Sequence, residues 1–284
     1  MTDHAAATRR GLRALTPASA CAAVILILLI AISMAAPWVA RFGEAQVVSY
    51  ESFAFPPIAG PLGTDHLGRD LLSRMIYGGR FTLIVAVATT LASVVAGVGL
   101  GFAAALRGGL VDDVLSRGVD ALLAFPAIVL ALLLISALGT STAVLIGTVA
   151  MIEACRIYRV SRSLAQAIST LDYVDVARAR GEGLLWLVRR EVLPNVAGPL
   201  AAEFGLRFTY VILMISALSF IGLGVQPPTA DWGVMVRENA KGLLTGSPAA
   251  LAPAACLAIV TLCVNVIIDA VIDREQQHRL PGLL

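Results

Sequence analysis

Apolar residues run along this chain in long blocks, separated by shorter stretches rich in arginine, proline and glycine. The blocks fall at residues 20–39, 81–106, 119–138, 144–158, 199–223 and 249–268. About 20 apolar residues, rising about 1.5 Å each, cross a hydrocarbon core of roughly 30 Å, so the pattern predicts six transmembrane helices. Backbone groups in lipid must bond within their own segment, so the expected fold class is all-α, a polytopic membrane protein. A cleavable leader competes for the first block, where Ala35 and Ala36 mimic a cleavage site. The apolar run is long for a leader, and a retained first span is expected. Pro126, early in the third block, predicts a kink. Gly97 and Gly101 lie one turn apart in the second and predict close contact with another helix. The GVGLG around them is not a phosphate loop, because no strand precedes it and apolar residues surround it.

The polar stretches carry helix signals of their own. Residues 172–195, DYVDVARARGEGLLWLVRREVLPN, form a charged handle between apolar blocks. Asp172 is expected to N-cap a short helix with Asp175 in its first turn, Arg178 and Arg180 in its last, and Gly181 as a left-handed C-cap. A second short helix over 184–192 is expected to stop at Pro194. Ala177 and Gly181 are small enough for a partner to approach the backbone. Between the first two spans, Thr64 or Asp65 is expected to cap an interfacial helix with Leu67, Leu71, Leu72, Met75 and Ile76 on one side and Asp70 one turn before Arg74. Residues 107–117 read as a short inner loop, the helix of the fourth span is expected to continue beyond the membrane, and the fifth span is expected to follow Pro199. Glu153 with Arg156, and Glu203 with Arg207, are spaced to pair on their helices.

Composition agrees with the pattern. Of 284 residues, 58% are hydrophobic and 14% charged, and mean hydropathy is +0.85. The net charge of +2 matters less than its placement. Arg9, Arg10, Arg13, Arg107, Arg117, the arginines between 156 and 190, Arg274 and Arg279 fall on one predicted side. The other side holds Arg41, Arg69, Arg74, Arg80, Arg237 and Lys241. This bias puts both termini in the cytoplasm. Cys21, Cys155, Cys256 and Cys263 have no metal or disulfide spacing, and His4, His66 and His278 are scattered, so no metal centre is expected. No nucleic-acid signature, paired catalytic carboxylates or nucleophile elbow stands out. The sole lysine, Lys241, lies in no P-loop, so any ATP that drives the chain must be bound by a partner. The nearly uncharged spans leave a self-contained channel or facilitator as the other reading.

Three segments then carry a resemblance. The handle resembles the Glu-Ala-Ala loop of ABC importer permeases, with Asp175, Ala177, Gly181, Leu193 and Pro194 at the motif places. PLGTDHLGRDLLSRMIYGGR at 61–80 and LSFIGLGVQPPTADWG at 218–233 resemble the C-type subunit of the dipeptide, oligopeptide and nickel permease family. Asp175 stands where glutamate is usual, Val176 where alanine is common, and Glu191 where a basic residue is common. The resemblance implies a type I importer permease of the bacterial or archaeal cytoplasmic membrane. Residues 1–80 would hold the N-terminus, first span and extracytoplasmic loop. Residues 81–284 would form the core permease domain, with five spans and a cytoplasmic coupling loop at 161–198. Implied partners are a second homologous permease, one or two cytoplasmic ABC ATPase subunits carrying ATP and Mg, an extracytoplasmic substrate-binding protein and membrane lipid. The chain itself would be no enzyme and hold no cofactor. The ATPase-coupling residues would be Tyr173, Asp175, Ala177, Arg178, Gly181, Leu193 and Pro194. The outer loops would dock the binding protein through Thr64, Asp65, Arg69, Asp70, Gln226, Pro227 and Trp232. Di- or oligopeptides are the implied substrates, with nickel chelates and glutathione as family alternatives.

Overall fold

A computed structural model describes residues 17–56 and 60–279, with 274–279 given by backbone course alone. The expectations for Arg9, Arg10, Arg13 and Pro57 lie outside the described residues. In chain order the helices are α1 (Pro17–Met34), α2 (Ala36–Val39), α3 (Leu71–Arg107), α4 (Gly109–Leu123), α5 (Ala127–Leu138) and α6 (Thr142–Ser169). They continue with α7 (Asp172–Ala179), α8 (Leu184–Leu187), a π-turn (Val188–Val192), α9 (Leu193–Ile221), α10 (Trp232–Glu238), a 3-10 turn (Ala240–Thr245) and α11 (Leu251–Arg279). Among the described residues the only β pairing is two isolated bridges, Val47 with Arg69 and Thr64 with Asp70. The all-α expectation therefore stands.

Four helical stretches are long and apolar enough to cross a membrane: Pro17–Met34, Leu71–Arg107, Leu184–Ile221 and Leu251–Asp273. The third expected span is not one helix. It breaks between α4 and α5, which meet at 91° across Pro126, and only as a bent pair do they supply a fifth candidate. Pro126 cannot donate a backbone bond, and its φ/ψ of −56°/126° leaves the helical region. Residues 107–117 are correspondingly not a loop but the entry to α4. That helix turns its polar side onto α6 through Arg159–Asp120 at 2.6 Å, Arg162–Asp112 at 2.6 Å and Ser116–Tyr158 at 2.8 Å. Helix α6 has 28 residues, about 42 Å, but with Glu153, Arg156, Arg159 and Arg162 it is not among the helices apolar enough to cross alone.

The centre of the fold is the α3–α6 pair. Buried small residues run down α3 at Ala86, Thr90, Ser93, Gly97, Gly101 and Ala104, three or four apart, so one stripe faces α6. A Cβ on Gly97 would stand 2.6 Å from Cβ of Ile157 and 2.7 Å from the Ala154 carbonyl. Gly101 abuts Ser161 and the backbone of Tyr158 and Arg162. The Ser161 hydroxyl lies 3.1 Å from the Gly97 carbonyl, a polar contact available only because the backbones approach so closely.

A second lock ties the start of α3 to the loop before α11. The expected interfacial helix capped by Thr64 or Asp65 does not form. Helix α3 starts at Leu71, capped by Asp70 through a 2.8 Å bond from Ser73 N, and runs unbroken through Arg80 and Phe81. Asp65 instead turns the preceding loop, accepting from Leu67 N at 2.8 Å and Arg69 N at 2.9 Å. It also pairs with Arg69 at 2.7 Å and Arg74 at 3.4 Å. Arg69 and Arg74 both reach Glu238 at the end of α10, at 3.5 and 3.4 Å. Asp231 caps α10 at Val234 N and accepts from Thr82 at 2.7 Å. Burial pushes its carboxyl up, partly offset by the Thr82 and Val234 bonds. Trp232 fills the space left by Gly78 and Gly79 and donates its indole N–H to Met75 O at 2.9 Å.

Two expectations follow. Gly97→Leu forces α3 and α6 apart and destabilises the protein by about 1–3 kcal/mol. Gly99→Leu, at a position with nothing within 4 Å, leaves thermal unfolding in detergent unchanged. Arg74→Met leaves Asp65 and Glu238 sharing one counter-charge, a loss of about 3–5 kcal/mol for a broken buried pair. Labelling of buried Cys155 and Cys263 by a thiol dye on heating reads out both changes.

Candidate functional site

The handle is a helical hairpin built onto the ends of two long helices. Helix α6 stops at Ser169, and after Thr170 and Leu171 the chain enters α7. Asp172 is not the cap: it is the first helical residue, and Leu171 occupies the cap position with no side-chain bond. The carboxylates of Asp172 and Asp175 still sit in the first turn, where the helix dipole favours them. At the other end Gly181 takes φ +82°, while its N–H bonds Arg178 O at 2.9 Å and Glu182 N bonds Ala177 O at 3.2 Å. The expected glycine C-cap is present.

The two faces of α7 differ in burial. Val174 and Ala177 are fully buried against Leu187 and the partly buried Ile168 and Trp186. Ala177 is therefore a packing point within the chain, and its side chain is not offered to a partner. The opposite side exposes Tyr173, Asp175, Val176 and Arg178. Arg178 lies 3.4 Å from Asp175, an exposed pair of small energetic weight. Arg180 sits over the Trp186 ring at 5.7 Å, and Asn195 donates to the Tyr173 hydroxyl at 3.3 Å and to Glu191 O at 2.6 Å. Side-chain packing and these bonds fasten α7 to both α6 and the start of α9.

Pro194 does not stop the second helix. The chain runs from Leu184 through the π-turn at Val188–Val192 into α9, with Pro194 in its first turn and Pro199 inside it. A proline removes one ladder bond and crowds the carbonyl four residues earlier. The wider π-turn lies directly before Leu193 and Pro194 and lets the helix continue. The fifth span consequently begins before Pro199, and Leu193 and Pro194 are exposed.

The residues expected to dock a partner on the other loops divide. Thr64, Asp65, Arg69, Asp70 and Trp232 are buried, at no more than 4% exposure. They hold loops and helices of this chain to one another, so their side chains offer no docking surface. Gln226 and Pro227 are exposed. The burial was missed because charges in a loop read as solvated when their partner, Glu238, lies 164 positions from Arg74.

A further polar site joins groups that were paired separately from sequence. Glu153–Arg156 at 3.3 Å and Glu203–Arg207 at 2.6 Å are linked by Arg207–Glu153 at 3.1 Å, which ties α6 to α9. Helical spacing gave the first two contacts and had no means of giving the third.

Over residues 97–277 the chain matches the family described as binding-protein-dependent transport system inner membrane component. A Brucella suis protein that carries the name of a peptide transport system permease is 34% identical over 88% of this chain and 84% of its own length. The di/tripeptide transport system permease protein DppC of Pseudomonas aeruginosa is 33% identical, covering 76% of this chain and 73% of its own. The glutathione transport system permease protein GsiD of Pectobacterium atrosepticum is 29% identical over 89% and 84%. With its long apolar helices and its exposed, twice-anchored handle, the chain belongs to the binding-protein-dependent transport system inner membrane components.

Proposed function

We propose that this chain is one permease subunit of an ATP-driven importer of di- or oligopeptides, forming the pathway with a second, homologous permease. ATP and Mg reside on separate ATPase subunits, and an extracytoplasmic binding protein delivers substrate. Family membership supports the importer class, and the relatives' names support peptides. The chain crosses the membrane six times in this reading, with α6 and the α4–α5 pair shielded from lipid by protein or water, and with both termini in the cytoplasm.

The observation that carries the coupling role is the two-sided build of α7. One face is locked to α6 and α8 through Val174, Ala177 and Leu187, and Tyr173 accepts a bond from Asn195 at the start of α9. The other presents Tyr173, Asp175, Val176 and Arg178 with few intrachain contacts. A helix held this way transmits a push from a bound ATPase to two long helices as a rigid body. A self-contained facilitator gains nothing from such a projection.

The test uses the complete transporter in proteoliposomes. Val176 is 57% exposed, so Val176→Glu leaves the amount and monodispersity of the permease unchanged. It lowers peptide-stimulated ATP hydrolysis and uptake together by about tenfold, the effect of roughly 1.4 kcal/mol lost at the contact. Uptake by the permease alone without ATP overturns the ATP-driven reading. Normal uptake in the variant overturns the assignment of α7.

A further inference from the structure

The four charges joined between α6 and α9 are placed where a brace alone has no need of them. Glu153 lies about 17 Å along α6 from its start at Thr142. Two carboxylates and two guanidiniums make the group electroneutral, which lowers the cost of holding it there. Its members are not equally spent. The Glu153 side chain is 1% exposed and Arg207 13%, and Arg207 also lies over the Tyr210 ring at 5.3 Å. Arg156 is 37% exposed, and its sole ion pair, at 3.3 Å, comes without a hydrogen bond among the described residues. The Tyr210 hydroxyl has no hydrogen bond among the described residues either, and Tyr210 is 50% exposed.

Arg156 and Tyr210 line one groove of about 480 Å³, walled by Pro126, Ile128 and Leu213 and floored by Glu153. The α4–α5 break at Pro126 forms its rim. A guanidinium a third exposed beside apolar walls is costly against hydrocarbon, so the groove does not open onto lipid. Its size falls in the range of small-molecule sites, with apolar walls and an unspent cationic fork at one end. Peptides, di- and tripeptides and glutathione, the solutes in the relatives' names, all carry a free carboxylate.

We propose that this groove is a substrate site inside the membrane, where Arg156 and Tyr210 bind the C-terminal carboxylate of the peptide in transit. The inference rests on the peptide-importer reading above. A guanidinium grips a carboxylate with two parallel N–H bonds, and the tyrosine hydroxyl supplies a third. Glu153 sets the limit on affinity: it is a resident carboxylate beside the same guanidinium and retakes Arg156 as the solute leaves. Transport requires such a site to bind well enough to admit the substrate and weakly enough to release it. Arg207 keeps Glu153 paired throughout, at 3.1 Å.

ATP-driven uptake of a tripeptide and of its C-terminal amide is measured in proteoliposomes holding the complete transporter and its binding protein. The binding protein is common to all variants, so its own preference cancels when acid-to-amide ratios are compared. Arg156→Gln leaves Glu153 paired with Arg207 and is expected to lower acid uptake about tenfold, as for a lost hydrogen bond to a charged group, with amide uptake changed less than twofold. Tyr210→Phe lowers the acid-to-amide ratio about threefold, and Arg156→Lys recovers part of the loss. If Arg156→Gln fails to insert, the ratio in Tyr210→Phe decides. An unchanged ratio in the variants, whether both uptakes fall together or neither moves, overturns the site and leaves a structural brace. Absence of ATP-driven uptake of either peptide by the unaltered transporter overturns the peptide reading itself, and the site with it.

Discussion

Close contact between α3 and α6 is the constraint on which the rest of the structure depends. In a bilayer the hydrophobic effect gives two apolar helices little reason to associate, so they need close packing and hydrogen bonds. Gly97 and Gly101 supply both: each removes a side chain where α6 backbone passes, and Ser161 then comes within 3.1 Å of the Gly97 carbonyl. Much of what has a functional reading hangs from these two helices. The end of α6 carries α7, the start of α3 carries the Asp65–Arg69–Arg74–Glu238 cluster, and the middle of α6 carries Glu153 and Arg156.

The sequence made the α-helical class legible because a membrane leaves few alternatives, and the glycine contact because small residues one turn apart have few other uses in an apolar helix. Gly181 was legible for a related reason: a left-handed cap has a residue preference, and φ +82° satisfies it. The handle was found as a unit from its charge and spacing, yet its inner and outer faces were not. Ala177 is small in either role, and only the position of Leu187 says which way it points.

The misreadings share a cause. Local rules treat proline as a stop and loop charges as solvated, and both rules assume that nothing distant compensates. At Pro194 a π-turn compensates within the helix itself, so the helix runs on. At Asp65 the compensation comes from Arg69, Arg74 and, through them, Glu238 across the fold. Those groups lost hydration on burial, and the loss is tolerable because charge meets charge with backbone donors filling the remaining lone pairs. A motif that reads as a docking surface is for this reason mostly internal: its charged residues are specified by one another.

The same logic separates the two buried charge clusters. Around Asp65 the backbone N–H groups and Arg69 fill the carboxylate, and both arginine side chains are at most 5% exposed, so solvent does not reach the cluster even though Arg69 Nη2 and Arg74 Nε and Nη1 make no hydrogen bond among the described residues. Around Glu153 the carboxylate is closed but one guanidinium is not. Arg156 stays a third exposed beside the 91° break at Pro126, where α5 turns away from α4 and leaves the face of α6 uncovered. Had the third apolar block formed one straight helix, that face would have had a neighbour to cover it. The proline that breaks the block and the arginine that uses the opening lie on different helices, so neither predicts the other from sequence. Together they set an exposed cation in a groove of about 480 Å³, large enough for a small peptide's end.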